Sequence, residues 1–308
     1  MKLGVLSWER DEAESVGIAE KAAERGHEAV LFTIEDIRCA SIPGGGTEPM
    51  IGSSPAREFD AVLSRAHIGY EGWRTTVERL HLLSTVPGLL MVDTVDTHVR
   101  AVSKFAMLHQ LTTAGISVPE TRSCTTVADA RAAHEEWGAM VVKPSVGFGG
   151  IDVERFVGTL TERDTAQIAG ALAKYGELIC QRYCPHSGDL RVFVIDSRAV
   201  LAAQWHTSAT AWKPFPGSAD LEANWDSWVE LVDPPKEAVD IAIRATEAMR
   251  LSYSGVDLVQ SEGRYWVMEV NVVPGWEPLP KDDRDGMERA VIDVVEKRLA
   301  GRGETFGA

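Results

Sequence analysis

Short apolar runs alternate with amphipathic stretches through the first third of the chain. KLGVLSW reads as a strand, DEAESVGIAEKAAERG as a helix stopping at Gly26, and EAVLFTI as a second strand. A loop with three glycines at 44–46 leads to the strand FDAVLSRA, a helix through WRTTVERLHLL and the strand GLLMVDT. Strands separated by helices cannot pair as hairpins, so this spacing predicts a small parallel sheet ending near Thr97. Ligands collect at the carboxyl ends of such strands. Arg65 and His67 lie just past AVLS, where a substrate role and an ordinary solvated loop stand equal.

HVRAVSKFAMLHQLTTAG predicts one long helix closed by Gly115. After it the pattern changes. AMVVKPSVGFGGIDVERF reads as strand, glycine loop, strand; ELICQRYC as a strand; DLRVFVIDSRAVLAAQWHT as a hairpin turning at Asp196–Ser197. The helix KEAVDIAIRATEAM precedes a last hairpin, GVDLVQSEGRYWVMEVN. The class is therefore α/β with α+β character, a second architecture beginning after about Thr97.

Composition narrows the function. At 308 residues and 44% hydrophobic, the chain can bury a large core. A net charge of −15 argues against a nucleic-acid partner and requires any anionic ligand to be held by a local cation cluster. Cys39, Cys124, Cys180 and Cys184 lack zinc-site spacing and read as reduced thiols of a cytoplasmic protein. The N-terminus has no export-type apolar region, no run nears the ~20 residues that span a bilayer, and there are no repeats.

Candidate chemistry sits in two places. KPSVGFGG is neither a P-loop nor a dinucleotide fingerprint, because a strand follows it. It offers a pliable backbone whose N–H groups could fold over phosphates, with Lys143 emerging beside it; an ordinary glycine hairpin is the plainer alternative. The second place is YWVMEVNVVPGW. Strand alternation puts Val267, Glu269 and Asn271 on one face. A three-residue turn, Ser261–Gly263, would pair Asp257 with Val267 and bring Asp257 to that face; a two-residue turn would send it to the other. Two carboxylates and an amide form a hard-oxygen set suited to magnesium, the alternative being carboxylates ion-paired to Arg or Lys.

VVKPSVGFGG, LICQRYC, GDLRVFVI, SGVDLV and MEVNVVPG, in this order and spacing, resemble the ATP-grasp ligases, most closely the RimK-like carboxylate–amine ligases. The resemblance runs from about Val99 to Pro280. It implies an N-terminal pre-ATP-grasp domain, 1–97, followed by two lobes, 98–180 and 181–308, clamping ATP. Lys104 and Lys143 would contact the α- and β-phosphates, and the loop with Gly147, Gly149 and Gly150 would cover the triphosphate. Gln181, Arg182, Tyr183 and Cys184 would form the hinge that reads adenine, with Asp189 on the ribose. Asp257, Glu269 and Asn271 would hold one or two magnesium ions, replaceable by manganese, with Arg191 near the γ-phosphate.

The sequence departs from the family at QWHTSATAWKPFPGSADLEANW, where His206 or Lys213 stands for the usual arginine and the usual asparagine is not evident. Gly255, in place of an arginine, argues against the D-alanine–D-alanine branch. Arg65, His67, Tyr70 and His206 are the candidates for gripping substrate, and Lys213 joins Arg191 as a catalytic candidate. Trp205, Trp212 and Trp276 read as packing. The resemblance implies amide formation through an acyl phosphate, joining glutamate to a small amino acid, in a dimer or tetramer that needs no membrane. A glutamate ligase acting on a protein tail or cofactor, and a non-catalytic ATP-binding scaffold, are the alternatives.

Overall fold

The computed structural model describes residues 1–69, 72–147, 149–206 and 228–305. The first layer comprises β1 (Lys2–Leu6), α1 (Ala13–Glu24), β2 (Glu28–Phe32), β3 (Ile37–Ser41), β4 (Thr47–Ile51), β5 (Ser54–Pro55), β6 (Ala61–Ser64), α2 (Trp73–Ser84) and β7 (Leu90–Val92). The parallel sheet runs β2-β1-β6-β7, as the helix-separated strands required. The glycine loop at 44–46 is the turn of a hairpin, β3–β4, which with β5 forms a small separate sheet. All three glycines have φ near +100°, a region that favours glycine.

The expected long helix is two: α3 (Val95–Val102) and α4 (Lys104–Thr113). Ser103 breaks it by leaving helical geometry at φ −73°, ψ 103°, and its hydroxyl caps α4 by accepting the Ala106 N–H. Continuous apolar periodicity hid this restart. It puts Lys104 in the first turn of α4, its backbone N–H donating 2.9 Å to the carbonyl of Ser145 in the glycine loop.

The middle of the chain supplies β8 (Thr121–Cys124), α5 (Val127–Trp137), β9 (Ala139–Pro144), β10 (Glu154–Val157), α6 (Glu162–Tyr175) and β11 (Leu178–Arg182). Its antiparallel sheet, ordered β10-β9-β11-β8, buries Met140, Val142, Leu178 and Cys180 against α5 and α6. By alternation Val141, Lys143 and Gln181 face the other way.

The last part holds β12 (Gly188–Ile195), β13 (Arg198–His206), β14 (Trp228–Leu231), α7 (Lys236–Met249), β15 (Tyr253–Ser261), β16 (Arg264–Asn271) and α8 (Lys281–Thr305). The β12–β13 hairpin turns at Asp196–Ser197, both at positive φ, and the sheet order is β14-β13-β12-β15-β16. One face buries Leu190, Val192, Val256 and Val267 beneath α4 and α7. The other is divided. Phe193, Ile195, Ala203 and Tyr253 pack against β1, β6 and α8, while Asp189, Arg191 and Asp257, farther along the strands, line a cleft.

Phe193 is fully buried in a cluster joining Leu3 and Val5 to Val291 and Val295, so the two ends of the chain share one core. Phe193→Ala should destabilise the protein by about 3–5 kcal/mol, read as a lowered urea midpoint with a single transition.

Candidate active site

The cleft is built where the β15–β16 hairpin meets β12 and the glycine loop. The hairpin turn has two residues, not three: Ser261 pairs with Arg264, with Glu262 and Gly263 at positive φ. Uncorrected, that register would set Asp257 opposite Met268 and turn Glu269 to the wrong face. A β-bulge at Met268 restores the alignment, since Leu258 pairs with Val267 but Asp257 pairs with Glu269. The expected convergence of Asp257, Glu269 and Asn271 is therefore observed, by a different route. Asn271 pairs with Gly255, where a Cβ would crowd Pro274 at 3.0 Å and the Arg191 side chain at 3.3 Å.

Each carboxylate meets a cation. Arg191, opposite Asp257 on β12, grips it through both arms: Nε to Oδ1 at 2.6 Å and Nη2 to Oδ2 at 2.8 Å. Asn271 Nδ2 donates to the same Oδ2 at 2.9 Å and to the Gly255 carbonyl at 3.2 Å. Lys104 Nζ donates to Glu269 Oε1 and to the Gly147 carbonyl, both at 2.8 Å, tying α4, the glycine loop and β16 together. Burial pushes the Glu269 carboxyl up, but Lys104, followed by Lys143 and Arg191, outweighs it and holds the group below its ordinary range.

Lys143 donates to Gln181 Oε1 at 2.9 Å, and Gln181 Nε2 donates to Thr121 Oγ1 at 2.9 Å. Burial, aided by the Lys104 charge and opposed by Glu269, lowers Lys143 to about 8. Asp189 is raised to about 7 by burial and by Asp257, against the pull of Arg191. His186 Nδ1 lies 3.2 Å from both Asp189 Oδ1 and the Gly188 carbonyl.

Two adjoining cavities, about 160 and 110 Å³, run along these groups. The first is lined by Lys104, Lys143, Gly147, Gly150, Arg191 and the carboxylate pair. The second is lined by Gln181, Arg182, Tyr183, Cys184 and Val141. Lys143, Asp189 and Met268 border both. Met268 escaped sequence reasoning because a three-residue turn would put it on the far face, whereas the two-residue turn puts it on the face of Trp266 and Val259. The Arg182 side chain is committed elsewhere, to Glu120 and Glu262 and over the Trp266 ring, and the N–H groups of Arg182 and Tyr183 bond Glu120 and Ala139 carbonyls. Tyr183 Oη accepts from Arg155 at 3.0 Å.

A third cavity, about 590 Å³, opens from Asp257, Glu269 and Asn271 toward the first layer and is bordered by Trp8, Arg65, His67 and Gly149. The substrate candidates part company here. His67 borders this cavity, edge-on to Trp8, and is lowered to about 4 by burial and by Arg65, which keeps it neutral at pH 7. Arg65 is buried against Glu12 and stacked over Trp276, so its charge is already spent. His206 faces away from the cleft: it lies 3.4 Å from Glu230 and borders a separate cavity with Leu190 and Gln204. On β13 the odd-numbered residues Leu201, Ala203 and Trp205 share the face of Asp189, which is why His206 misses it. Tyr70, Lys213 and Trp212 lie outside the described residues.

Among the described residues no group of three or more His, Cys, Asp or Glu is disposed to hold a metal. The set here is two carboxylates and an amide, and that chemistry fits magnesium, which takes one or two protein carboxylates and fills its other positions with water and phosphate. The ion-paired arrangement and the cation-holding one use the same atoms, because a carboxylate has lone pairs to spare when one is engaged.

A family model for the RimK-like ATP-grasp domain matches residues 101–295. A "probable alpha-L-glutamate ligase" of Pseudoalteromonas translucida is 24% identical, with 98% of each chain covered. Another of that name, from Shewanella halifaxensis, is 24% identical over 99% of this chain, which spans only 65% of that longer relative. Among solved structures, the D-cycloserine synthetase DcsG matches with a TM-score of 0.73 at 20% identity, over 97% of this chain and 100% of that one. The ATP-grasp ligase PsnB, bound to a phosphomimetic precursor variant, Mg and ADP, matches with a TM-score of 0.70 at 21% identity, covering 95% and 98%. With the family model covering well over half its length, this chain belongs to the RimK-like ATP-grasp family and is an ATP-dependent ligase.

Proposed function

We propose that the enzyme condenses a carboxylate with an amine through an acyl phosphate, with glutamate as one partner and a small amino acid as the other. The observation that carries this reading is the convergence of Asp257, Glu269 and Asn271 with Lys104, Lys143 and Arg191 on one cleft. Glutamate enters through the relatives' names. A small acceptor suits the 590 Å³ cavity that adjoins the trio.

Lys104 and Lys143 are the phosphate contacts in this reading, with Gly147, Gly149 and Gly150 folding over the triphosphate. The hinge at 181–184 takes adenine between Val141 and Met268, and Asp189 takes the ribose. Asp257, Glu269 and Asn271 would hold magnesium, one ion or two and replaceable by manganese, which would supply charge neutralisation for the phosphates. The substrate carboxylate oxygen attacks the γ-phosphorus, the bond to the β-phosphate oxygen breaks, and ADP departs. The amine then attacks the acyl carbon, loses a proton, and phosphate leaves. Arg191 orients Asp257 and supplies positive charge beside the transferring group. His67, neutral and at the border of the acceptor cavity, can hydrogen-bond the incoming amine, but at about 4 it is too weak a base to take a proton from an ammonium.

Mixing the protein with ATP, magnesium and pairs of amino acids should release phosphate only with pairs containing glutamate. Tight ATP binding with no stimulated release would favour the scaffold reading, and added mass on a peptide would favour a protein acceptor. Glu269→Gln removes charge but little volume, so turnover should fall roughly a thousandfold in protein that still folds, with a lowered melting temperature because buried Lys104 loses its charge partner. Full activity in that variant would remove the metal assignment.

Lys143 gives a pH signature. Its free-state value of about 8 means the ammonium is partly lost above that pH, whereas a bound phosphate favours the charged form. ADP affinity should therefore fall as pH rises through about 8, with proton uptake on binding measured by calorimetry in buffers of different ionisation enthalpy. Lys143→Met should bind more weakly and lose this dependence.

A further inference from the structure

Arg65, a substrate candidate on sequence, has another task in the fold. Its side chain is 1% exposed. Nε lies 3.0 and 3.3 Å from the two Glu12 oxygens, Nη2 also meets Glu12, and the same Nη2 donates to the Pro274 carbonyl at 3.2 Å. The Trp276 ring lies 4.7 Å from the guanidinium carbon. Glu12 is further held by the Ser7 and Ser15 hydroxyls. Two residues on, Glu14 accepts the N–H groups of Trp276 and Glu277 at 2.7 and 2.9 Å. The first layer thus grips residues 274–277 with two struts, starting three residues beyond Asn271. Val272 and Val273, the only residues between, are themselves buried.

We propose that Glu12 and Arg65 are positioning residues that hold the exit of β16 so that Asn271 and Glu269 stay aligned for a divalent cation. This rests on reading Asp257, Glu269 and Asn271 as the cation site. Three considerations favour a positioning role over simple stability. A buried ion pair recovers little more than its desolvation cost, and apolar pairs of similar volume often replace one without loss of stability. What such a pair does supply is direction: the two-armed guanidinium fixes Glu12 and Pro274 relative to each other, a geometry no apolar contact specifies. The segment it fixes also borders the 590 Å³ cavity on which Glu269 and Asn271 open, so its displacement would be felt at the site.

The test measures manganese binding to the full chain in the presence of ADP, by the loss of the free-ion paramagnetic resonance signal, alongside metal-free ADP affinity and thermal melting. The Glu12→Leu/Arg65→Met pair should melt close to the wild type and leave metal-free ADP affinity unchanged, yet weaken manganese binding about tenfold or more, the scale seen when groups supporting metal ligands are removed. Arg65→Lys keeps a charge for Glu12 but cannot bridge Glu12 and Pro274 together. It should weaken manganese binding about threefold or more, and it decides the matter alone if the apolar pair does not fold. Manganese affinity within about twofold of wild type in the folded variants, while Glu269→Gln abolishes binding, overturns the positioning role and leaves the cation site standing. Unchanged binding in Glu269→Gln instead removes the site reading itself, and the proposal with it.

Discussion

The candidate cleft depends on one opposition: Asp257 faces Glu269 across adjacent strands, and a bulge at Met268 keeps it so. Two carboxylates side by side repel each other, and burying them unpaired would cost several kcal/mol each. The protein meets that cost with cations from separate elements, Arg191 from β12 and Lys104 from the first turn of α4. Each element is thereby drawn to the hairpin. The glycine loop follows, because Lys104 also holds its Gly147 carbonyl. The acidic pair is thus both the candidate chemistry and the electrostatic centre around which the surrounding elements are arranged.

Packing makes this arrangement affordable in a chain of net charge −15. The five-stranded sheet is apolar on the face under α7, and on its other face Phe193 and Ile195 give way to Arg191 and Asp189 along the same strand. Period-two alternation lets β12 serve a dry core and a polar cleft with successive residues. β9 does the same, with Val142 in the core and Lys143 facing outward to Gln181. A local cluster of cations therefore forms without a basic surface.

Elements governed by local periodicity were legible in the sequence. The helix at 236–249, the turn at Asp196–Ser197 and the parallel pairing in the first sheet all follow from apolar spacing and turn residues. What escaped depends on hydrogen bonding between distant segments. The Met268 bulge leaves no mark on an apolar strand, and reading a three-residue turn reached the right face only because two one-residue offsets add to two, which restores the parity. Ser103 looks like any helical serine until Lys104 is seen bound to the glycine loop. Arg65 and His206 were singled out by residue type, but Arg65 is claimed by Glu12 from fifty-three positions away, and the parity of β13 turns His206 aside.

The same partners constrain how a nucleotide would enter. Lys104 and Lys143, the two lysines beside the glycine loop, are already bonded to a carboxylate and an amide. A triphosphate would have to take at least one of them, and releasing Glu269 from Lys104 leaves a carboxylate that needs a new positive partner. A divalent cation arriving with the phosphates supplies it, so nucleotide and metal would bind with positive coupling: each removes the charge that opposes the other. Lys143, lowered first by burial and then by its neighbour Lys104, regains its charge beside the arriving anion. On this account the nucleotide-free ion pairs are a held position, charge-balanced and compact, in which every group needed for phosphate is within reach and occupied by a partner it can exchange.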